Sequence, residues 1–245
     1  MFGRFEIKFL MGMLLGGACS FALAENLNEP AWAFKLTPSY YSTTHQREAQ
    51  DINLRANTGA HALWLGYYRR GAEFEQARTG YEVTLDTPLG KLVPSLQAAT
   101  HGFVGGSVNL QFGDPLFGIL GFGRTNLRDY YNLNFDPNDS VVYGLGARLP
   151  GGDDLSLFAV KDDRLHTGQM VTHLVWHYHP VEHQRLTLDL SNKHGRASAE
   201  DECVSGKSLA LTYDYESVFV RIARDRKVNF TGSDQTRVAL GFRFD

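Results

Sequence analysis

The residues with the most obvious chemistry lie in one segment, MVTHLVWHYHPVEH, where His173, His177 and His179 share one side of an alternating stretch. Imidazoles on one face invite a zinc site. Neighbours on one face of an extended chain stand about 6–7 Å apart, whereas zinc holds each His nitrogen within about 2.1 Å. Residues of a single strand are therefore badly placed to share one ion, and these histidines are read as structural or interfacial. A second segment, NLRDYYNLNFDPNDS at 126–140, spaces oxygen donors at Asn132, Asn134, Asp136, Asn138 and Asp139. It lacks the glutamate that closes the common calcium loop, and Asx-turns in a surface loop account for the pattern. Its Tyr130, Tyr131 and Phe135 offer another use, in which an ordered loop folds inward as a constriction.

The charged residues follow the same alternation. Asp51, Arg55, Arg78, Glu82, Arg148, His173, His177, Arg185, Asp189, Asp214, Arg221 and Arg243, with His101, fall opposite apolar positions such as Ile52, Tyr81, Leu186 and Leu188. Such a set needs an enclosed polar space. It makes either a packed web of ion pairs or the lining of a pore in which arginine outnumbers carboxylate.

Strands must position these groups, because the period is two from Trp32 to the end. ARTGYEVTL places Arg78, Glu82 and Thr84 against Ala77, Thr79, Tyr81, Val83 and Leu85. ALWLGYYRR alternates without clear sidedness, since Trp64 and Tyr68 compete with Leu63, Leu65 and Tyr67. Pro94 is an objection to a ladder strand in KLVPSLQAATH. The last ten residues, TRVALGFRFD, put Val238, Leu240, Phe242 and Phe244 on one face and Arg237, Ala239, Gly241 and Arg243 on the other. Reading back from the end, long connections (RKVNFTGSDQ, SNKHGRASAEDECVSG, KDDRLHTGQ, NLRDYYNLNFDPNDS) alternate with short ones (ES, VEHQ, LPGGDD, GDP). With AQDINLRA as a strand of its own, the count is about fourteen, with twelve as the alternative.

The sorted loops and the closing strand resemble those of bacterial outer-membrane β-barrels, in which short periplasmic turns alternate with long outer loops. The resemblance implies an all-β, transmembrane, antiparallel up-and-down barrel over residues 25–245. It also implies a Gram-negative outer membrane, with lipid and lipopolysaccharide around the barrel and periplasmic chaperones and the barrel-assembly machinery during biogenesis. A small monomer is expected.

The rest of the sequence bounds this. Residues 1–24 carry Arg4 and Lys8, then an apolar run ending Ala22-Leu23-Ala24, which reads as a signal peptide cleaved before Glu25. Its removal takes two basic and one acidic residue and moves the formal net charge from −3 to −4. No basic excess points to nucleic acid. Cys203 alone remains in the mature chain, which excludes a disulfide framework or a cysteine zinc site. A mean hydropathy of −0.27 excludes a helical membrane bundle but suits strands that are half apolar.

Three functions are expected from this set. The first is a porin-like narrow channel for small polar or anionic solutes, without a cofactor. The second is a non-conducting structural or surface barrel. The third is a lipid-modifying enzyme. The hydrolase members of that last class carry a His-x-Ser pair, which this sequence lacks. The palmitoyl-transfer members use a histidine in the first outer loop and an Asp-Ser pair, to which His45 and Asp139-Ser140 are similar.

Overall fold

The computed structural model describes residues 31–132 and 136–245. The expected signal peptide, and Asn134 and Phe135 of the central loop, lie outside the described residues. Fourteen antiparallel strands close on themselves. They are β1 Ala33–Thr43, β2 Ala49–Thr58, β3 His61–Arg70, β4 Phe74–Val83 with its continuation Leu85–Thr87, β5 Gly90–Ala99, β6 Phe103–Phe112 and β7 Leu116–Thr125. The second half comprises β8 Ser140–Arg148, β9 Asp154–Asp162, β10 Met170–Tyr178, β11 Gln184–Gly195, β12 Val204–Tyr215, β13 Val218–Asp225 and β14 Gln235–Phe244. Each strand pairs with its sequence neighbours, and β1 pairs with β14, so no edge is left open.

Two prolines explain the two breaks in this ladder. Proline has no N–H to donate. Between β4 and β5 the pairs Glu82↔Ser95 and Leu85↔Leu92 share one register, and bridging lapses between them, beside Pro94. Pro94 still pairs with Val108 of β6. Between β1 and β14 bridging lapses from Leu36↔Phe242 to Ser39↔Ala239, around Pro38. The ends of that seam are fastened instead by Phe34 stacked on Phe244 at 5.5 Å and by Thr44, whose N–H donates to the Asp234 carbonyl at 2.9 Å.

Alternation sorts the side chains as a membrane barrel requires. Leu65, Leu96, Leu120, Leu145, Leu157 and Ile222 stand exposed on the outer wall, at 49–72 %. So wide an apolar exterior is unfavourable in water and matches lipid. Inside, Asp51, Arg78, Gln76, Lys193, Asp214 and Gln235 are buried. The apolar core proper is small. It joins Tyr41, Ala49, Tyr68 and Val228 near one end of the barrel, with Phe74 and Tyr131 against it.

That end carries the connections 44–48, 71–73, 100–102, 126–139, 163–169, 196–203 and 226–234, and the other end carries the short turns and both termini. Loop sorting is clear from β6 onward and weak before it. At 71–73 and 100–102 the connections are clipped where Phe74 and His101 pack together and Phe74 meets Tyr131 of the central loop. The polar stretch 191–206, expected as one long loop, is half strand. β11 and β12 run on through Gly195 and from Val204, pairing Lys193 with Gly206 and His194 with Ser205.

Candidate functional site

The central loop, described over 126–132 and 136–139, turns into the lumen in those residues. Gln76 on β4 is wholly buried and grips it with both ends of its amide. Nε2 donates to the Asp129 carbonyl at 3.0 Å, and Oε1 accepts the Tyr131 N–H at 2.9 Å. The Tyr131 ring stacks on Tyr68 at 3.9 Å, and its hydroxyl accepts from Gln235 Nε2 at 3.2 Å. Tyr130 stacks on Phe103 at 4.1 Å and donates to Gln97 at 3.3 Å. Burial pushes the Tyr130 phenol above its ordinary range. Further along, Asp136 meets His173 Nε2 at 3.1 Å, while the other ring nitrogen of His173 faces Asp189 at 3.0 Å. Asp139 ends the loop and holds Arg164 at 2.8 Å together with the Thr125 hydroxyl. Strands from both halves of the barrel thus fasten the loop across its interior.

Around the loop the lumen keeps two spaces. One of about 570 Å³ is lined mainly by β1–β8 and the loop, with Lys35, Arg55, Arg78, Glu82, Trp64 and Asn109 among its residues. A second, of about 350 Å³, lies against β10–β14 beside His173, Asp189, Lys193 and Asp225. Asp136, Arg221 and Arg237 border both. Trp64 lies flat where a side chain on Gly80 would stand, so only a glycine there leaves the indole against the wall.

Toward the short-turn end, inward cations line up across neighbouring strands. Arg55 is opposite Lys35, and Lys35 is opposite Arg243. Lys35 and Arg243 both lie over the Phe219 ring, at 5.9 and 5.2 Å. That ring in turn occupies the space above Gly241. Glu82 pairs with Arg55 at one end of the arc. Asp214 at the other end is shared by Arg243 and, at 3.4 Å, Arg185. The arc holds four cations and two carboxylates, with cation–ring contacts supplying part of the balance.

The remaining expected residues fall as follows. Asp51 and Arg78 form a buried pair. Arg221 donates to Thr212 at 2.8 Å. Arg148 sits at the short-turn rim, tied to Asp114 at 2.8 Å. His177 and His179 each face a different aspartate, Asp154 at 2.9 Å and Asp153 at 3.5 Å, and His101 lies in a short turn at the long-loop end. His45 is exposed between β1 and β2, whereas Asp139 and Ser140 are buried at the start of β8, across the barrel. These three do not meet. Lys35, Lys193, Gln76 and Gln235 were not singled out by sequence. Lys35 was legible from AFKLTPS, where Lys35, Thr37 and Ser39 alternate with Phe34 and Leu36.

No protein-family model and no curated protein matches the chain. Among solved structures, the outer membrane protein Omp33 of Acinetobacter baumannii superposes with a TM-score of 0.56 at 10 % identity, covering 87 % of this chain and 98 % of that one. At that identity the likeness is one of fold, and it is the fold of a bacterial outer-membrane β-barrel. The KdgM porin, solved with disordered oligogalacturonate, follows at a TM-score of 0.47 and 8 % identity, covering 86 % of this chain and 99 % of that one.

Proposed function

We propose that this barrel resides in the outer membrane of a Gram-negative bacterium and is a narrow channel for small polar solutes that favours anions. The observation that carries this is the inward cationic arc of Arg185, Arg243, Lys35 and Arg55, which leads into a polar space beside the inserted loop. A ring of fixed positive charge lowers the energy of a passing anion and raises that of a cation. The loop supplies the narrowing, and the outer apolar wall supplies the fit to lipid. The protein works as a monomer, delivered by periplasmic chaperones and the barrel-assembly machinery.

Purified protein in planar bilayers tests the reading. Small, anion-selective conductance steps are expected. Silence at every salt concentration sinks it and favours the non-conducting surface barrel. That reading draws on the buried Arg78–Asp51 pair and the Tyr68–Tyr131 stack, which fill one side of the lumen.

A further inference from the structure

At the long-loop rim of the largely apolar outer wall, basic residues of two adjacent strands gather. On β12, Lys207 lies between two inward residues, buried Gly206 and the cavity-lining Ser208, and so faces outward. Its carbonyl accepts the N–H of Arg226 at 3.2 Å, which sets Arg226 beside it just beyond β13. Arg224 is opposite Leu209 and bonds outward-facing Thr236 at 2.7 Å. One carboxylate answers the group. Asp234 pairs with Arg224 at 3.2 Å and accepts the Lys227 N–H at 3.2 Å. Among the described residues, the Lys207 and Arg226 side chains make no hydrogen bond or ion pair, and both are exposed. Directly below stand Leu209, Ile222 and Val238, exposed at 45, 55 and 45 %. A ligand matching both features carries an anion at one end and hydrocarbon at the other.

We propose that this rim binds the phosphate of an outer-leaflet lipid through Lys207, Arg226 and Arg224, with the acyl chains lying on Leu209, Ile222 and Val238. A cation at a membrane surface attracts anionic headgroups, and the apolar wall orients them. Arg224, already paired with Asp234, positions the edge of the site, and exposed Lys207 and Arg226 supply the attraction. The site lies outside the lumen and stands whether or not the barrel conducts.

The test is native mass spectrometry of the detergent-purified barrel, titrated with diphosphorylated lipid A and with the same lipid after phosphatase treatment. Wild type is expected to hold the phosphorylated lipid at least tenfold more tightly than K207A/R226A, and the dephosphorylated lipid is expected to bind both equally weakly. Arg69→Ala, an outward-facing change on β3, should match wild type. A heat-modifiable gel shift establishes that each barrel is closed. Equal affinity in wild type and double variant, equal binding of both lipids, or no adduct at all overturns the proposal. Displacement by inorganic phosphate at equal concentration would show a bare anion site and overturn the lipid assignment.

Discussion

Lys35→Glu is the most direct perturbation of the cationic arc. Lys35 stands between Arg55 and Arg243, with Glu82 and Asp214 as the flanking carboxylates. The substitution turns four cations against two carboxylates into three against three. A unit charge acts on an ion about 8 Å away with roughly 0.5 kcal/mol in water. Screening at 0.1 M salt about halves this, because the Debye length is about 10 Å. Changing two units therefore shifts each ion by about 0.5–1 kcal/mol. Anions and cations shift oppositely, so their difference moves by about 1–2 kcal/mol, or roughly 5–30-fold in permeability ratio. The assay is the reversal potential across a salt gradient in a planar bilayer, with Lys161→Glu on the outer wall as the comparison. The wild-type channel should be anion-selective and the Lys35 variant nearly unselective. An unmoved reversal potential in K35E would place Lys35 away from the ion path and overturn the selectivity assigned to the arc.

Further predictions concern the loop, the packing, acid and the N-terminus. Gln76→Ala removes both amide bonds to the loop and should cost about 1–3 kcal/mol in guanidinium unfolding, with larger and noisier conductance steps. Gly241→Ala drives a methyl into the Phe219 ring and should cost about 1–3 kcal/mol of stability, read as a lower heat-modification midpoint. The Arg124 guanidinium bonded to Asp163 holds that carboxyl below its ordinary range. Its folded value is depressed, so its contribution is present above the unfolded value of about 3.9 and is lost as pH falls through the folded one. Protease nicking of 163–169 should therefore be flat from pH 8 to 5, rise in stronger acid, and lose that acid dependence in Asp163→Asn. Intact mass of the exported protein should correspond to a chain beginning at Glu25.

Alternation made the strands legible wherever one face meets lipid, because only there does the sequence repeat apolar residues every second position. It failed where both faces are wet. Ser191, Asn192, Lys193 and His194 continue β11 beyond the apolar wall, and nothing in their types separates strand from loop. β3 was ambiguous for another reason. Trp64 and Tyr68 are large and face inward, but Trp64 has Gly80 to lie on and Tyr68 has Tyr41 and Tyr131 to pack against. The charged lining was readable by parity, Lys35 at the start of the first strand included, except Lys193, which falls in the stretch read as loop. The aromatic residues of the central loop hinted at its inward fold, but its fastening was not readable. An amide such as Gln76 is ordinary on a polar face, and its importance arises only when residues 53 and 55 positions later come to rest against it.

The seam between β1 and β14 differs from every other pairing in the barrel. Elsewhere a connection between consecutive strands limits how far they can slide past one another. The first and last strands have no such link, and Pro38 takes bridges out of the middle of their ladder. Alignment at closure is therefore left to side chains, namely Phe34 on Phe244 at one end and Thr44 with Asp234 at the other. A slip of one residue would reverse the parity of β14 against β1 and turn Arg237 and Arg243 toward lipid, at about 2–4 kcal/mol for each one near the midplane. A slip of two would keep them inside but separate Arg243 from Lys35. The chain thus carries its own vernier, in which the residues that line the passage also penalise a misaligned closure.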